Sequence, residues 1–437
     1  MSQKALPGFR DFYPSELAER AHVTRAWREV ARRYGFVEYD GPPLEPLELY
    51  TKKSGEEIVG QLYNFTDKGG RDITLRPEMT PTFARMVAAR ANALRKPVRW
   101  FSVPQLFRYE RQQKGRLREH FQLNVDIVGE ADVTADAELL AAAIDIVREL
   151  GLTAQDVVAR VSDRRLLNAL LAHAGVGEAQ LPAAYAVIDK LEREPRESLD
   201  KKLADAGIDA DTRARVFQAV LPRSPEQLHA EYGAIPELQE HFARLGRYFA
   251  YLEALGVIDW VQLDLSIVRG LAYYTGIVFE LFDRKGEFRA ICGGGRYDNL
   301  LKALGGVDLP ALGFGMGDVV LGELLRARGL MPESAPRIDF WVASDADEML
   351  PVVMATATAV RRMGYSAEYA LRPQQLARQL RAADAAGARR AVILRRDAIG
   401  VEQGAPTIML KTLADGTEEQ VPLTKWLDQL NQRRLAG

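Results

Sequence analysis

Between Pro97 and Asp126 one loop carries Arg108, Arg111, Lys114, Arg116 and Arg118, with Gln122 and Asp126 just beyond it. So many cations in a short loop need anions or water, and alone the loop reads as a solvated hairpin tip. Gln122 and Asp126 change that reading. At a spacing of four they share one face of a strand, because side chains alternate with period two. A cationic loop beside a face bearing an amide and a carboxylate can hold a polyanion and a small polar molecule together. Arg269 with Tyr273 and Tyr274 forms a second polar cluster, read here as lying among strands. Adjacent strand tyrosines point to opposite faces, so one ring can line a pocket while the other packs behind it. Ordinary strand aromatics are the alternative. Glu78, Met79 and Thr80 stand before Pro81, where Thr80 fits an N-cap and Pro81 the first helical position, so helix-start chemistry alone accounts for them. Gly293, Gly294 and Gly295 either let a backbone approach a ligand or make a turn.

Composition narrows the class of molecule. A length of 437 residues allows two or three domains, and 47% hydrophobic with 27% charged residues is ordinary for a soluble globular chain. The net charge of −2 provides no overall field for nucleic acid, so any such contact is local. A single cysteine, Cys292, excludes an internal disulfide framework and a multi-cysteine zinc site, and fits a reducing compartment. Five scattered histidines argue against a histidine metal cluster. The start MSQKALPGFRDFYP lacks an apolar signal core, and no run of about 18 apolar residues occurs. The expectation is a cytoplasmic protein without a membrane partner. The chain holds no G-x-x-x-x-G-K-[ST] loop, and the glycines from Gly313 lack dinucleotide spacing.

Several elements must position these residues. A helix over Glu16–Tyr34, stopped by Gly35, presents Trp27, Val30, Ala31 and Tyr34 on one stripe. It leads to a strand over Phe36–Asp40, and helix and strand together suit either the core or a subunit interface. Strands are expected over Val98–Val103 and His120–Val128, and helices over Pro81–Asn92 and Val133–Leu150. From Ser162 to Gly256 short helices rich in Ala, Leu, Glu and Arg alternate with turns, as in a helical insertion. Strands resume at Val261–Leu265 and Ile277–Phe282. After a linker at Met331–Pro336, strands and helices alternate, which implies a small parallel or mixed sheet with helices on its faces. Arg372, Arg378, Arg381, Arg389, Arg390, Arg395 and Arg396 crowd this last region, as a solvated face or as a nucleic-acid surface.

Phe107-Arg108-Tyr109-Glu110 with its basic loop resembles the second signature motif of class II aminoacyl-tRNA synthetases. Arg269-Gly270-Leu271-Ala272-Tyr273-Tyr274-Thr275-Gly276 resembles the histidine signature of the histidyl-tRNA synthetase family, and Gly293-Gly294-Gly295-Arg296-Tyr297-Asp298 is similar to its companion motif. The resemblance spans nearly the whole chain. It implies an α/β (α+β) fold, with a class II antiparallel-sheet catalytic domain over 1–161 and 258–330. A helical insertion would occupy 162–257, and an α/β domain like the family's anticodon-binding domain 336–437. It implies a homodimer with the Glu16–Asp40 helix and strand at the interface. It also implies a reaction: histidine attacks the α-phosphate of ATP, pyrophosphate leaves, and histidyl-adenylate passes its histidine to the terminal adenosine of the histidine tRNA.

The same resemblance distributes roles. Arg108 would grip the α-phosphate, and Arg269 would bridge it to the histidine carboxylate from the other side. A guanidinium fork suits both tasks. Arg116 and Arg118 would meet the ATP tail or the tRNA acceptor end, with Mg²⁺ helping to neutralise the triphosphate. His120 and Phe121 stand where an aromatic ring meets the adenine. Glu78, Met79, Thr80 and Gln122 would surround the α-ammonium group. Asp126 would accept from one imidazole nitrogen, Tyr274 would bond the other, and Tyr273 would complete the polar wall. The sequence departs from the family pattern at Val320, where an arginine usually packs on the adenine, and at Ala272, usually an aspartate. A non-catalytic relative, the regulatory subunit of ATP phosphoribosyltransferase, is the alternative. It typically lacks the C-terminal domain.

Overall fold

The computed structural model describes residues 4–51, 60–110, 117–268, 273–332, 338–396 and 407–436. The chain divides into two compact units, one of Met1–Phe12 and Glu19–Pro332, the other of Tyr13–Ala18 and Glu333–Gly437.

The first unit is built on a nine-stranded sheet. Its central strand is Glu119–Val128, where Leu123, Val125 and Ile127 alternate with polar residues and all three enter the main core. Seven of this strand's residues pair antiparallel with Ala311–Gly317 on one side, and five pair with Val98–Ser102 on the other. Beyond Ala311–Gly317 the sheet continues through Cys292–Arg296, Ile277–Asp283, Val157–Asp163 and Val261–Leu263. Val37–Glu38 forms the opposite edge, parallel to Val98–Ser102. Gln105–Phe107 pairs with the first residues of the central strand.

The core behind this sheet is filled by the helices Pro14–Arg33 and Val133–Glu149. The first contributes Val23, Ala26, Trp27, Val30 and Ala31; the second starts at an N-cap, Asp132, whose side chain accepts from Thr134 N–H. The helices between Arg164 and Ala254 share this same core, through Leu166, Leu170, Val216, Phe242, Leu245 and Tyr248. Asp163 caps the first of them by accepting from the Arg165 N–H at 2.9 Å.

Three expectations change. Tyr273 and Tyr274 are not in a strand; regular pairing begins only at Ile277, after Gly276. Gly293–Gly295 belong to a buried strand rather than a turn. Thr80 is the first helical residue, Met79 holds the N-cap position without a side-chain bond, and Pro81 follows.

The second unit holds a five-stranded sheet in the order Ala367–Tyr369, Phe340–Ser344, Arg390–Leu394, Thr407–Thr412, Glu418–Pro422. The first three strands are parallel and the last two antiparallel. The helices Leu350–Arg362, Leu376–Ala385 and Leu423–Ala436 accompany it, and Phe340, Val342, Val353, Ala357, Val392 and Trp426 form a core of its own.

Candidate active site

Residues opposite one another in a sheet share a face. One row across the first unit runs Trp100, Asp126, Gly313, Gly295, Val278, and the next runs Ser102, Asn124, Gly315, Gly293, Glu280. Gln122 stands opposite Gly317 on that same face. The reverse face carries Phe101, Val125, Phe314, Phe279 and Val161, all in the main core. Five glycines therefore pave one face, and polar side chains of the central strand border them.

Those glycines are a fitted floor. A Cβ on Gly313 would collide with Asp126 Oδ1, and one on Gly315 would stand 2.9 Å from the Gln122 carboxamide. The carboxylate and the amide thus lean over backbone that has no side chains. The helices Thr80–Arg90 and Leu300–Gly305 cover the neighbouring part of this face, where Phe83, Val87, Leu300 and Leu301 cluster with Val128 and Val278.

Asp126 is 4% exposed. It accepts a hydrogen bond from Tyr297 Oη. Burial pushes its pKa up to about 7, and the Tyr297 bond opposes that rise. The Tyr297 phenol in turn is held well above its ordinary range, by burial first and by the Asp126 charge second. Tyr273 meets Tyr297 edge-on with centroids 5.9 Å apart, and lies 4.9 Å from Tyr274. Tyr39 packs on Trp100 at 5.4 Å, and its buried hydroxyl has no hydrogen-bond partner among the described residues. The Asp126 charge also raises the Tyr39 phenol, after burial. Asp126 therefore sits at the bottom of a wall of tyrosines.

At the other end of the strand, alternation separates His120 from Phe121. His120 shares the face of Gln122 and Asp126. Burial, then the charges of Arg108 and Arg10, push its pKa down to about 3, so its imidazole is neutral. At about 3.3 Å per residue, His120 and Asp126 mark positions about 20 Å apart. Phe121 points the other way. Its ring meets Phe12 at 6.0 Å and carries the Arg20 guanidinium 4.2 Å from its centroid. Its N–H donates to Asp318 Oδ1 at 2.9 Å. Arg10 ties this corner together, bonding Glu119 at 2.6 Å and Asp318 at 2.9 Å.

Arg108 donates from Nε to the Pro77 carbonyl at 2.9 Å, and Phe107 N–H donates to the Arg76 carbonyl at 3.0 Å. The segment Glu78–Thr80 is thereby fixed beside the base of the cationic loop. Glu78 and Met79 are buried and Thr80 half-buried. Arg76, nearly buried, holds Asp40 at 2.8 Å and the Gly41 and Gln105 carbonyls at 2.7 and 3.1 Å. Arg118 lies over the Tyr109 ring, 4.2 Å from its centroid. Val320 is in the first turn of the helix Asp318–Ala327 and packs against the core behind the sheet. Arg116, Arg269 and Ala272 lie outside the described residues.

Sequence reasoning gave no role to Tyr39 or Tyr297, and of the glycine floor it singled out only the Gly293–Gly295 run. A signal for the floor was present: Gly313, Gly315 and Gly317 alternate with Leu312, Phe314 and Met316, which is a strand with one bare face. The chemistry on offer is a neutral imidazole, an amide and a buried carboxylate in line along one strand, with the Arg108 cation near the first of them. That arrangement suits an elongated ligand with an aromatic end, a charged middle and a small hydrogen-bonding end. Among the described residues, no group of three His, Cys, Asp or Glu is placed to hold a metal ion.

The sequence model of the family described as histidyl-tRNA synthetase matches residues 8–317. The chain is 44% identical over 426 residues to the histidine–tRNA ligase of Opitutus terrae, covering 96% of each. It is 40% identical to the chloroplastic/mitochondrial histidine–tRNA ligase of Arabidopsis thaliana, over 95% of this chain and 84% of that one. The crystal structure of histidyl-tRNA synthetase from Nostoc sp. PCC 7120 shares the fold, with a TM-score of 0.83 at 23% identity, covering 99% of this chain and 100% of that one.

Proposed function

Because this chain belongs to the histidyl-tRNA synthetase family, we propose that the glycine-paved face is where a histidine–tRNA ligase builds and spends its adenylate. The protein is an aminoacyl-tRNA ligase: it activates L-histidine with ATP and transfers it to the 3′ end of its tRNA. A histidine carboxylate oxygen attacks the α-phosphorus, the bond to the β-phosphate oxygen breaks, and pyrophosphate departs. The terminal ribose hydroxyl of the tRNA then attacks the acyl carbon, its proton is lost, and AMP leaves.

The residues take the following parts. Asp126 accepts from one imidazole N–H of the substrate, and Tyr297 fixes the carboxylate while it does so. Tyr274 bonds the second ring nitrogen, and Tyr273 closes the wall. Gln122, with Glu78, Met79 and Thr80, receives the α-ammonium group. Arg108 holds the α-phosphate, where negative charge grows on the phosphoryl oxygens in the transition state; fixed cations there lower the barrier without reorganising. Arg269 faces it across the histidine carboxylate. The purine rests on His120, whose neutral ring adds no charge against an uncharged base. Arg116 and Arg118 meet the polyphosphate or the acceptor end. Mg²⁺ arrives on the triphosphate as part of the substrate. The ligase works as a cytoplasmic homodimer. In support, Val37 is 62% exposed on the edge strand of the sheet.

One observation carries this assignment: a buried carboxylate, bonded to a tyrosine, leaning over Gly313 on the same face as Gln122. A site that bonds both nitrogens of a ring rejects analogues lacking them by roughly 10⁴–10⁵. The test is ATP–pyrophosphate exchange by the purified protein. Exchange is expected with histidine and not with other amino acids, and Asp126→Ala should raise the histidine KM far more than the ATP KM. Exchange indifferent to histidine would sink the assignment. The alternative, a regulatory subunit without catalysis, has less behind it, since relatives over nearly the full length are named as ligases.

A further inference from the structure

We propose that Arg165 and Asp298 form a latch that positions the tyrosine pair, so that the first helix of the insertion sets the affinity for histidine; this rests on the reading of the site given above. The residue that follows the tyrosines, Thr275, is bonded at every polar group. Its N–H donates to the Arg296 carbonyl at 2.7 Å. Its carbonyl accepts from Arg165 Nε at 3.1 Å. Its hydroxyl donates to Asp298 Oδ2 at 3.1 Å and accepts from the Asp298 N–H at 3.0 Å. The next carbonyl, of Gly276, accepts from the Arg164 N–H at 3.0 Å. Arg165 then closes the ring, because Nη2 bonds Asp298 Oδ2 at 3.1 Å.

Each end of the latch is itself anchored. Asp298 Oδ1 accepts from Arg296 Nη1 at 3.2 Å. Arg296 is buried and forks onto Asp136, with bonds of 3.1 and 2.6 Å, while also reaching the Glu130 and Asp132 carbonyls. On the other side Arg165 stands in the first turn of the helix Arg164–Ala174, capped by Asp163. Gly276 packs closely under two arginines: a Cβ there would lie 3.1 Å from Arg296 Cδ and 3.3 Å from Arg244 Nη2. The backbone just after Tyr274 is thus held between the insertion and the sheet. Tyr273 in turn touches Tyr297, the partner of Asp126.

The Arg165 and Asp298 side chains are 44% and 23% exposed. An ion pair this open contributes little to stability. Its fork onto Thr275 does something a mere surface pair would not: it fixes where two substrate-facing rings stand. Positioning shows itself as a split between the two substrates, because only histidine meets the tyrosines. The experiment uses the full chain with Arg165→Ala, Arg165→Lys and Asp298→Asn, read by histidine-dependent pyrophosphate exchange and by melting. Arg165→Ala should raise the histidine KM about ten-fold, since small misplacements near a reacting group are costly. The ATP KM should stay within about two-fold and the melting midpoint should hold. Arg165→Lys, which keeps the charge but loses the fork, should fall between. Asp298→Asn should follow Arg165→Ala. Equal movement of both KM values, or no movement of the histidine KM, overturns the latch while leaving the ligase reading intact. Wild-type protein that fails to exchange with histidine overturns both.

Discussion

Asp126 carries the pH dependence of the site. Its carboxyl titrates at about 7 in the folded protein because burial disfavours the charge. The imidazole of free histidine titrates at about 6.5. Between those two values the groups therefore hold about one proton between them, and above about pH 7 the carboxylate accepts from the N–H of a neutral ring. Below about pH 6 both become protonated, and the carboxyl no longer accepts from the ring. The histidine KM should climb as pH falls through that range while the ATP KM changes less, and Asp126→Asn should flatten the climb. A wild-type profile without it would remove Asp126 from the imidazole contact. Stability runs the opposite way. The folded-state pKa lies above the unfolded one, so the carboxyl's contribution is full below about pH 4 and is lost as pH rises through about 7. Asp126→Asn retains an oxygen for Tyr297. Its melting midpoint should equal or exceed that of wild type at pH 8, with the margin shrinking at pH 5.

At the scale of the strand, period two decides between neighbours that type alone cannot separate. His120 and Phe121 are both aromatic and adjacent, yet only His120 shares a face with Gln122 and Asp126, while Phe121 packs with Phe12 under Arg20. His120→Ala should therefore raise the ATP KM about ten-fold with little change in melting, in line with loss of a stacking contact. Phe121→Ala should leave the ATP KM nearly alone and cost roughly 2 kcal/mol of stability, less than a fully buried ring. Reversal of that pattern would reassign the adenine contact. The same logic explains what the sequence made legible. Gln122 and Asp126 could be placed on one face because four is a multiple of two, and Val133–Glu149 announced itself by its amphipathic pattern. Tyr273 and Tyr274 misled because aromatic residues beside a real strand look like more strand; Gly276, pressed between Arg296 and Arg244, ends the loop before pairing starts. Tyr297 stood in a recognised motif, but its bond to Asp126 was invisible because the two lie 171 residues apart. No local pattern encodes such a pairing.

At the scale of the molecule, the division near Pro332 separates two cores that do not share residues. The sheet around Glu119–Val128 and the helices behind it form one, and the sheet around Phe340–Ser344 forms the other, with Phe340 and Trp426 edge to face at 5.2 Å. Every described residue assigned to histidine or ATP belongs to the first. The second has strands whose parallel half, Ala367–Tyr369, Phe340–Ser344 and Arg390–Leu394, points its carboxyl ends toward one rim. Ser344, Asp347, Arg372, Gln374 and Gln379 lie together around a shallow recess at that rim. Crevices at the carboxyl ends of parallel strands are common binding places in α/β sheets. Adenylate formation needs only small substrates, whereas charging needs the tRNA held in register as well. A protein ending at Pro332 should therefore keep histidine-dependent pyrophosphate exchange within a few-fold of the full chain. Its charging of histidine tRNA should fall about a hundred-fold or more through the tRNA KM, as expected when one of two linked contacts is removed. Unchanged charging by the truncated protein would mean that the second unit takes no part in reading the tRNA. Loss of exchange along with charging, in a protein that still melts cooperatively, would mean that the first unit needs the second for chemistry.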